Sequence, residues 1–135
     1  MDTSRKYIIM CSQAKEIQNT WEQDSGDYVS NSVRAWSLAE TDIYVSDFKK
    51  DLYIWLPRQD QLQDMLKTTN ILNLLGSFDD WLSDECFMPD IPITVFKDKY
   101  KDSTIEQLWL AFVMNELYAA IWDDEAKEWI RPTEK

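Results

Sequence analysis

Carboxylates dominate the groups in this chain that could do chemistry. Asp79, Asp80, Asp84 and Glu85 fall within one helical stretch, and Asp80 and Asp84, four apart, share a helix face. Such a set could hold a divalent cation, but it lacks the alternating loop spacing of a calcium site, and a solvated helix face is the better reading. Asp123-Asp124-Glu125 forms a second acidic run, read as a charged loop at a helix end. Negative charge there is mildly unfavourable to the helix dipole, too weakly to imply a metal. A hydrolase working with two carboxylates is formally open, yet nothing marks which two would act.

The rest of the catalytic repertoire is thin. The chain contains no His, which removes Ser-His-Asp and Cys-His activation and most zinc and non-haem iron sites. Its 2 Gly can hardly supply a phosphate loop or a dinucleotide fingerprint. Cys11 and Cys86 are isolated in sequence and make neither a disulfide framework nor a metal cluster. A reduced, cytoplasmic setting fits them best. No catalytic residue, metal ligand or cofactor is expected.

A polar stretch is the better candidate for recognition. Arg58, Gln59, Asp60 and Gln63, with Trp55 just before them, could form a partner surface. Amides donate and accept, so with Gln61 the group could read a peptide or a small polar ligand. A helix start there could also take an anion, helped by Arg58. The plainer reading is a polar outer surface on a capped helix.

The net charge is −11, from 14 basic and 25 acidic residues. Split after Lys67, the first half carries −3 (8 basic, 11 acidic) and the second −8 (6 basic, 14 acidic). A field of this sign repels phosphate backbones, so direct nucleic-acid binding is not expected. An acidic surface favours solubility, or a basic partner.

The elements that must position these groups are legible from periodicity. Thr3 or Ser4 can cap a helix whose apolar face is Tyr7, Met10, Cys11, Ala14, Ile17 and Trp21. The spacing predicts a helix from about Ser4 to Trp21, with Cys11 a buried, inert thiol. Asp24-Ser25-Gly26-Asp27 is a turn signal, after which the period changes to two. Tyr28, Val29, Val33, Trp36 and Leu38, then Ile43-Tyr44-Val45, then Leu52 to Leu56 read as three or four short antiparallel strands.

Pro57 ends the last strand and could occupy the first turn of a helix through Leu62, Met65 and Leu66. Asn70 can cap another helix, with Ile71, Leu74, Leu75, Phe78, Trp81 and Leu82 on one face and Gly76 weakening it. Pro89 and Pro92 mark an irregular crossing, and Ile93 to Phe96 reads as extended. Ser103 with Glu106 matches a capping box for a helix from Thr104 to about Trp122. Its middle, Leu108 to Met114, is apolar on every side, which marks a buried central helix. That run of seven residues is far short of the ~20 needed for a membrane span. The predicted architecture is α+β, one domain over 1–135, with a small antiparallel sheet packed against a helical layer and a central C-terminal helix.

Two stretches resemble small prophage-encoded proteins of Gram-positive bacteria: Trp55-Leu56-Pro57-Arg58-Gln59-Asp60-Gln61-Leu62-Gln63, and Ser103 through Met114. The opening Lys6 to Cys11 and the late Trp122 add to the resemblance, which runs over most of the chain. The stretches from about Val29 to Lys50 and from Phe78 to Pro92 fit it less clearly. The resemblance implies a phage or prophage origin and a cytoplasmic setting, and no substrate or catalytic residue.

Three functions follow as expectations. The first is an accessory protein acting by protein–protein contact, with a mimic of DNA as a minor variant. The second is a domain binding a peptide or small polar ligand, suggested by 7 Trp, since exposed aromatics mark recognition surfaces. The third is a carboxylate-only, metal-dependent enzyme, the weakest of the three. Self-association through an uncovered face of the central helix stays open.

Overall fold

In the computed structural model, which describes residues 1–22, 24, 26–31, 35–37, 53–67, 70–86 and 102–131 (backbone alone at 36, 37 and 83–86), Ser4 starts the first helix. Its hydroxyl oxygen accepts a hydrogen bond from the Tyr7 N–H at 3.3 Å, satisfying one of the donors that a helix start leaves free. Helix α1 spans Arg5–Gln13 and α2 spans Lys15–Asn19. The expected single helix to Trp21 is therefore two. Ala14 breaks it with φ −85° and ψ 68°. The apolar face is nevertheless as expected, with Tyr7, Met10, Cys11, Ala14, Ile17 and Trp21 all buried.

Three short strands follow: β1 Tyr28–Ser30, β2 Ala35–Ser37 and β3 Ile54–Leu56. They form an antiparallel sheet in the order β2-β1-β3, in which Val29 faces Trp36 on one side and Trp55 on the other. Expected strand residues Val33, Leu38, Ile43-Tyr44-Val45 and Leu52 lie outside the described residues, as does Ile93 to Phe96.

Pro57 leads out of β3 into α3, Gln59–Met65. Arg58 takes the cap position, so Pro57 precedes the helix rather than sitting in its first turn. The Pro57 carbonyl accepts the Tyr7 hydroxyl at 2.6 Å, which ties α1 to the end of the sheet. Helix α4 spans Ile71–Cys86, and Asn70 Oδ1 accepts the Leu72 N–H at 2.9 Å.

Helix α5, Ile105–Tyr118, is the centre of the fold. Every residue from Trp109 to Met114 is buried, as an all-round apolar helix should be. Phe78 of α4 stacks on Trp109 at 4.2 Å between ring centroids and meets Phe112 edge-on at 5.4 Å. Trp81 adds a tilted contact to Phe112 at 5.5 Å. Aromatic packing of this kind fixes the two helices against each other.

The end of α5 departs from expectation. The helix stops at Tyr118 because Ala119 turns left-handed, with φ 53°. Its N–H bonds back to the Asn115 carbonyl at 3.0 Å and the Ala120 N–H to Met114 at 3.2 Å, closing the last turn as left-handed caps do. The chain then forms a hairpin of β4 Ile121–Asp123 and β5 Glu128–Ile130. Trp122 is thus a strand residue. Trp129 is buried, and its indole N–H donates to the Met10 carbonyl at 3.0 Å, which pins the hairpin to α1. The result is an α+β fold which, among the described residues, has two small antiparallel sheets and one buried cluster shared by all five helices and by β1, β3 and β5.

Candidate functional site

Two positions of the polar stretch after Trp55, Arg58 and Gln61, build the fold. Trp55 is not a surface residue: it is only 5% exposed and stacks parallel to Trp21, with ring centroids 6.1 Å apart. Asp27, just before β1, is 1% exposed. It accepts Trp21 Nε1 at 2.9 Å, the Asp24 N–H at 3.0 Å and Gln61 Nε2 at 2.7 Å. Arg58 Nη1 stands 3.7 Å from the same carboxylate and donates to the Gly26 carbonyl at 3.1 Å. Gln61 Oε1 in turn accepts the Arg58 N–H at 2.9 Å.

This network satisfies a buried carboxylate, which would otherwise be costly. Arg58 and Gln61 are thereby committed to structure. Asp60 is exposed and pairs with Arg58 Nε at 3.1 Å, while Gln59 and Gln63 are half-buried. The five residues expected to share a partner surface are therefore divided between core, network and rim.

A second buried carboxylate anchors the start of the chain. Asp2 accepts the Ser4 N–H at 2.8 Å, the Thr104 hydroxyl at 2.6 Å and Gln107 Nε2 at 2.8 Å. Burial pushes its pKa up, but the bonds from Thr104, Ser4 and Gln107 together outweigh it, and the group lies below its ordinary value. Thr104 and Gln107, not Ser103 and Glu106, form the capping box of α5.

The neighbouring cleft is lined by Lys6 and Met10 of α1, Gln107 and Ala111 of α5, and Trp122 and Asp124 of the hairpin. Its volume is about 50 Å³, room for a few waters or one side chain, against roughly 300–1,000 Å³ for a drug-sized ligand. Lys6 and Lys127 flank Asp124 at 3.6 and 3.9 Å. Burial raises the Asp124 pKa, and the bond from Trp122 with the two lysines more than reverses it.

Neither thiol nor phenol offers a nucleophile in this core. Burial drives the Cys11 thiol well above its ordinary value, and Cys11 is fully buried. Tyr7 beside it is raised for the same first reason, with Cys11 adding to it. Among the described residues no three carboxylates or other ligand groups converge as a metal site. Asp79 and Asp80 are exposed on α4.

The surface that stands out was not singled out by the sequence. Ile71, Leu74, Leu75, Phe78, Trp81 and Leu82 were expected to share one helix face. Leu74 and Trp81 are buried, and Phe78 and Leu82 are partly buried. Ile71 is 54% and Leu75 is 45% exposed, and Leu72 beside them is 74% exposed. Three adjacent large aliphatics thus form a shoulder on the first turns of α4. Periodicity identifies apolar positions but not which of them a neighbour covers, so only the excess of aliphatics in Ile71-Leu72-Asn73-Leu74-Leu75 could have signalled it.

No helix among the described residues is long and apolar enough to cross a membrane. The chain matches no protein-family model, no curated protein and no solved structure.

Proposed function

We propose that this chain is a non-catalytic accessory protein of the phage type, working in the cytoplasm by binding another protein through the α4 shoulder. The observation that carries this reading is the exposure of Leu72 beside Ile71 and Leu75. Single exposed aliphatics are ordinary on protein surfaces, but contiguous ones mark contact sites. Arg58 and Gln61 support the same reading from the other side, because their bonds are spent on the fold.

A photo-crosslinking residue placed at Leu72 tests it, with the same residue at exposed Glu116 as control. In lysate of the source cells, a discrete protein adduct at position 72 and none at 116 is expected. Equal adducts at both positions, or none at 72, would remove the basis for the proposal.

A second reading has its own observation. The cleft beside Lys6, lined by Trp122, Met10 and Ala111 among others, fits a single anchoring side chain of a peptide. Line broadening of Trp122 on titration with short peptides would favour it.

A further inference from the structure

Two parallel rows run along the exposed side of α4. Positions four apart on a helix lie one above the other, so Ile71, Leu75 and Asp79 form one row and Leu72, Gly76 and Asp80 the next. All six residues are exposed. Each row therefore passes from aliphatic to carboxylate within about two turns. The helix from Ile71 to Cys86 contains no Lys or Arg to neutralise that end.

Gly76 sits in the middle of the second row. A glycine inside a helix costs about 0.5–1 kcal/mol relative to alanine. The fold does not require it: a Cβ added there meets nothing within 4 Å, and Gly76 has no left-handed backbone to serve. What the missing side chain does provide is a flat step between Leu72 and Asp80, where another backbone can come close.

We infer that this face is a docking site for a cationic amphipathic helix, lying across Gly76 with its aliphatic residues on Ile71, Leu72 and Leu75 and its Lys or Arg residues over Asp79 and Asp80. The inference rests on the protein-binding reading and adds the chemistry of the partner. Charge complementarity decides the class. The chain carries −11 overall, which draws cationic partners in and repels acidic ones. A second copy of the chain fits poorly. Antiparallel pairing about Gly76 would set Leu72 against Asp80 of the other copy, and parallel pairing would set the aspartates against each other. A helix is favoured over an extended strand because the rows follow a helix groove, the geometry in which apolar anchors at i and i+4 interlock.

The test uses the full chain and a labelled Lys/Leu peptide of about 18 residues, five turns of amphipathic helix. A scrambled peptide of the same composition and a Glu/Leu counterpart serve as controls. By fluorescence anisotropy the amphipathic Lys/Leu peptide is expected to bind about tenfold or more tighter than either control. Leu72→Asp is expected to weaken it by about tenfold, although the substitution adds negative charge. Asp79→Asn with Asp80→Asn is expected to weaken it and to flatten its salt dependence. Gly76→Ala is expected to raise the melting temperature of the free protein while lowering affinity.

Unchanged or tighter binding by Leu72→Asp would reduce the interaction to diffuse electrostatics and overturn the inference. Equal binding of the Glu/Leu peptide would also overturn it, while an adduct from the crosslinker at position 72 would leave the protein-binding reading standing. Self-association of the wild type that Leu72→Asp abolishes would make a second copy the occupant, against the inference. Binding of no peptide would likewise count against it.

Discussion

The side-chain amide of Gln18 pairs with the backbone of Trp55 as a neighbouring strand would: Nε2 donates to the Trp55 carbonyl and the Trp55 N–H donates to Oε1, both at 2.8 Å. Among the described residues β3 is an edge of its sheet, and Gln18 closes that edge at its central residue. The same Nε2 reaches the Cys11 carbonyl at 3.1 Å, in the last turn of α1. One amide thus joins the break between α1 and α2 to the sheet.

Gln18→Ala should consequently be among the most damaging single changes at a partly exposed position. It leaves the Trp55 N–H and carbonyl short of a partner, while the Cys11 carbonyl keeps the Ala14 N–H, and each unsatisfied buried group costs about 1–3 kcal/mol. A loss of about 2–4 kcal/mol is expected from urea denaturation, with a shift in tryptophan emission because Trp55 stacks on Trp21.

Asp27 holds together α2, β1 and α3. Asp27→Ala removes the acceptor of Trp21 Nε1, the Asp24 N–H and Gln61 Nε2, and one of the partners of Arg58, which keeps the Gly26 carbonyl and Asp60. Hydrogen bonds to a charged group contribute about 1.5–3 kcal/mol each, so a loss of about 3–4 kcal/mol in chemical denaturation is expected. Asp60→Ala, at the exposed neighbour of Arg58, should stay within about 0.5 kcal/mol of wild type.

Asp2 gives a pH dependence with a defined sign. Its folded pKa is below the ordinary 3.8, so it stabilises the fold above that value. The contribution is lost as pH falls through 3.8 toward the lower folded value. Wild type should therefore lose stability across the acid range more steeply than Asp2→Asn. Denaturation midpoints at a series of pH values from neutral downward check this, and parallel curves would refute it.

Ala119 is left-handed at φ 53°, a conformation that costs an L-residue about 1 kcal/mol and glycine almost nothing. Ala119→Gly is expected to raise stability by about 0.5–1 kcal/mol, seen as a higher melting temperature with the hairpin signals of Trp122 and Trp129 unchanged.

Much of this fold was written in local pattern. The buried faces of α1 and α5, the caps at Ser4 and Asn70 and the strands around Val29 and Trp55 follow from periodicity and capping chemistry. The misses share one cause, a decision taken by a residue distant in sequence. Ser103 with Glu106 and Thr104 with Gln107 are overlapping matches to one capping pattern. Asp2 chooses between them by bonding Thr104 and Gln107 from about a hundred positions away. Ala14 breaks a helix without Pro or Gly, where Gln18 bonds both the Cys11 carbonyl and Trp55. Ala119 ends α5 without glycine, and the hairpin beyond it docks through Trp129 onto Met10. The site was hidden for the complementary reason. A leucine facing solvent looks like a leucine in the core until its neighbours are known, and Arg58 and Gln61 look free until Asp27 is placed beneath them.

The most direct check of the α4 face is to purify wild type and Leu72→Ser/Leu75→Ser from the source cells and compare what each retains. Both leucines are exposed, so the double variant should melt close to wild type. A stoichiometric protein held by wild type and lost from the variant is the predicted outcome. The same protein retained equally by both, with both folded, would contradict the account.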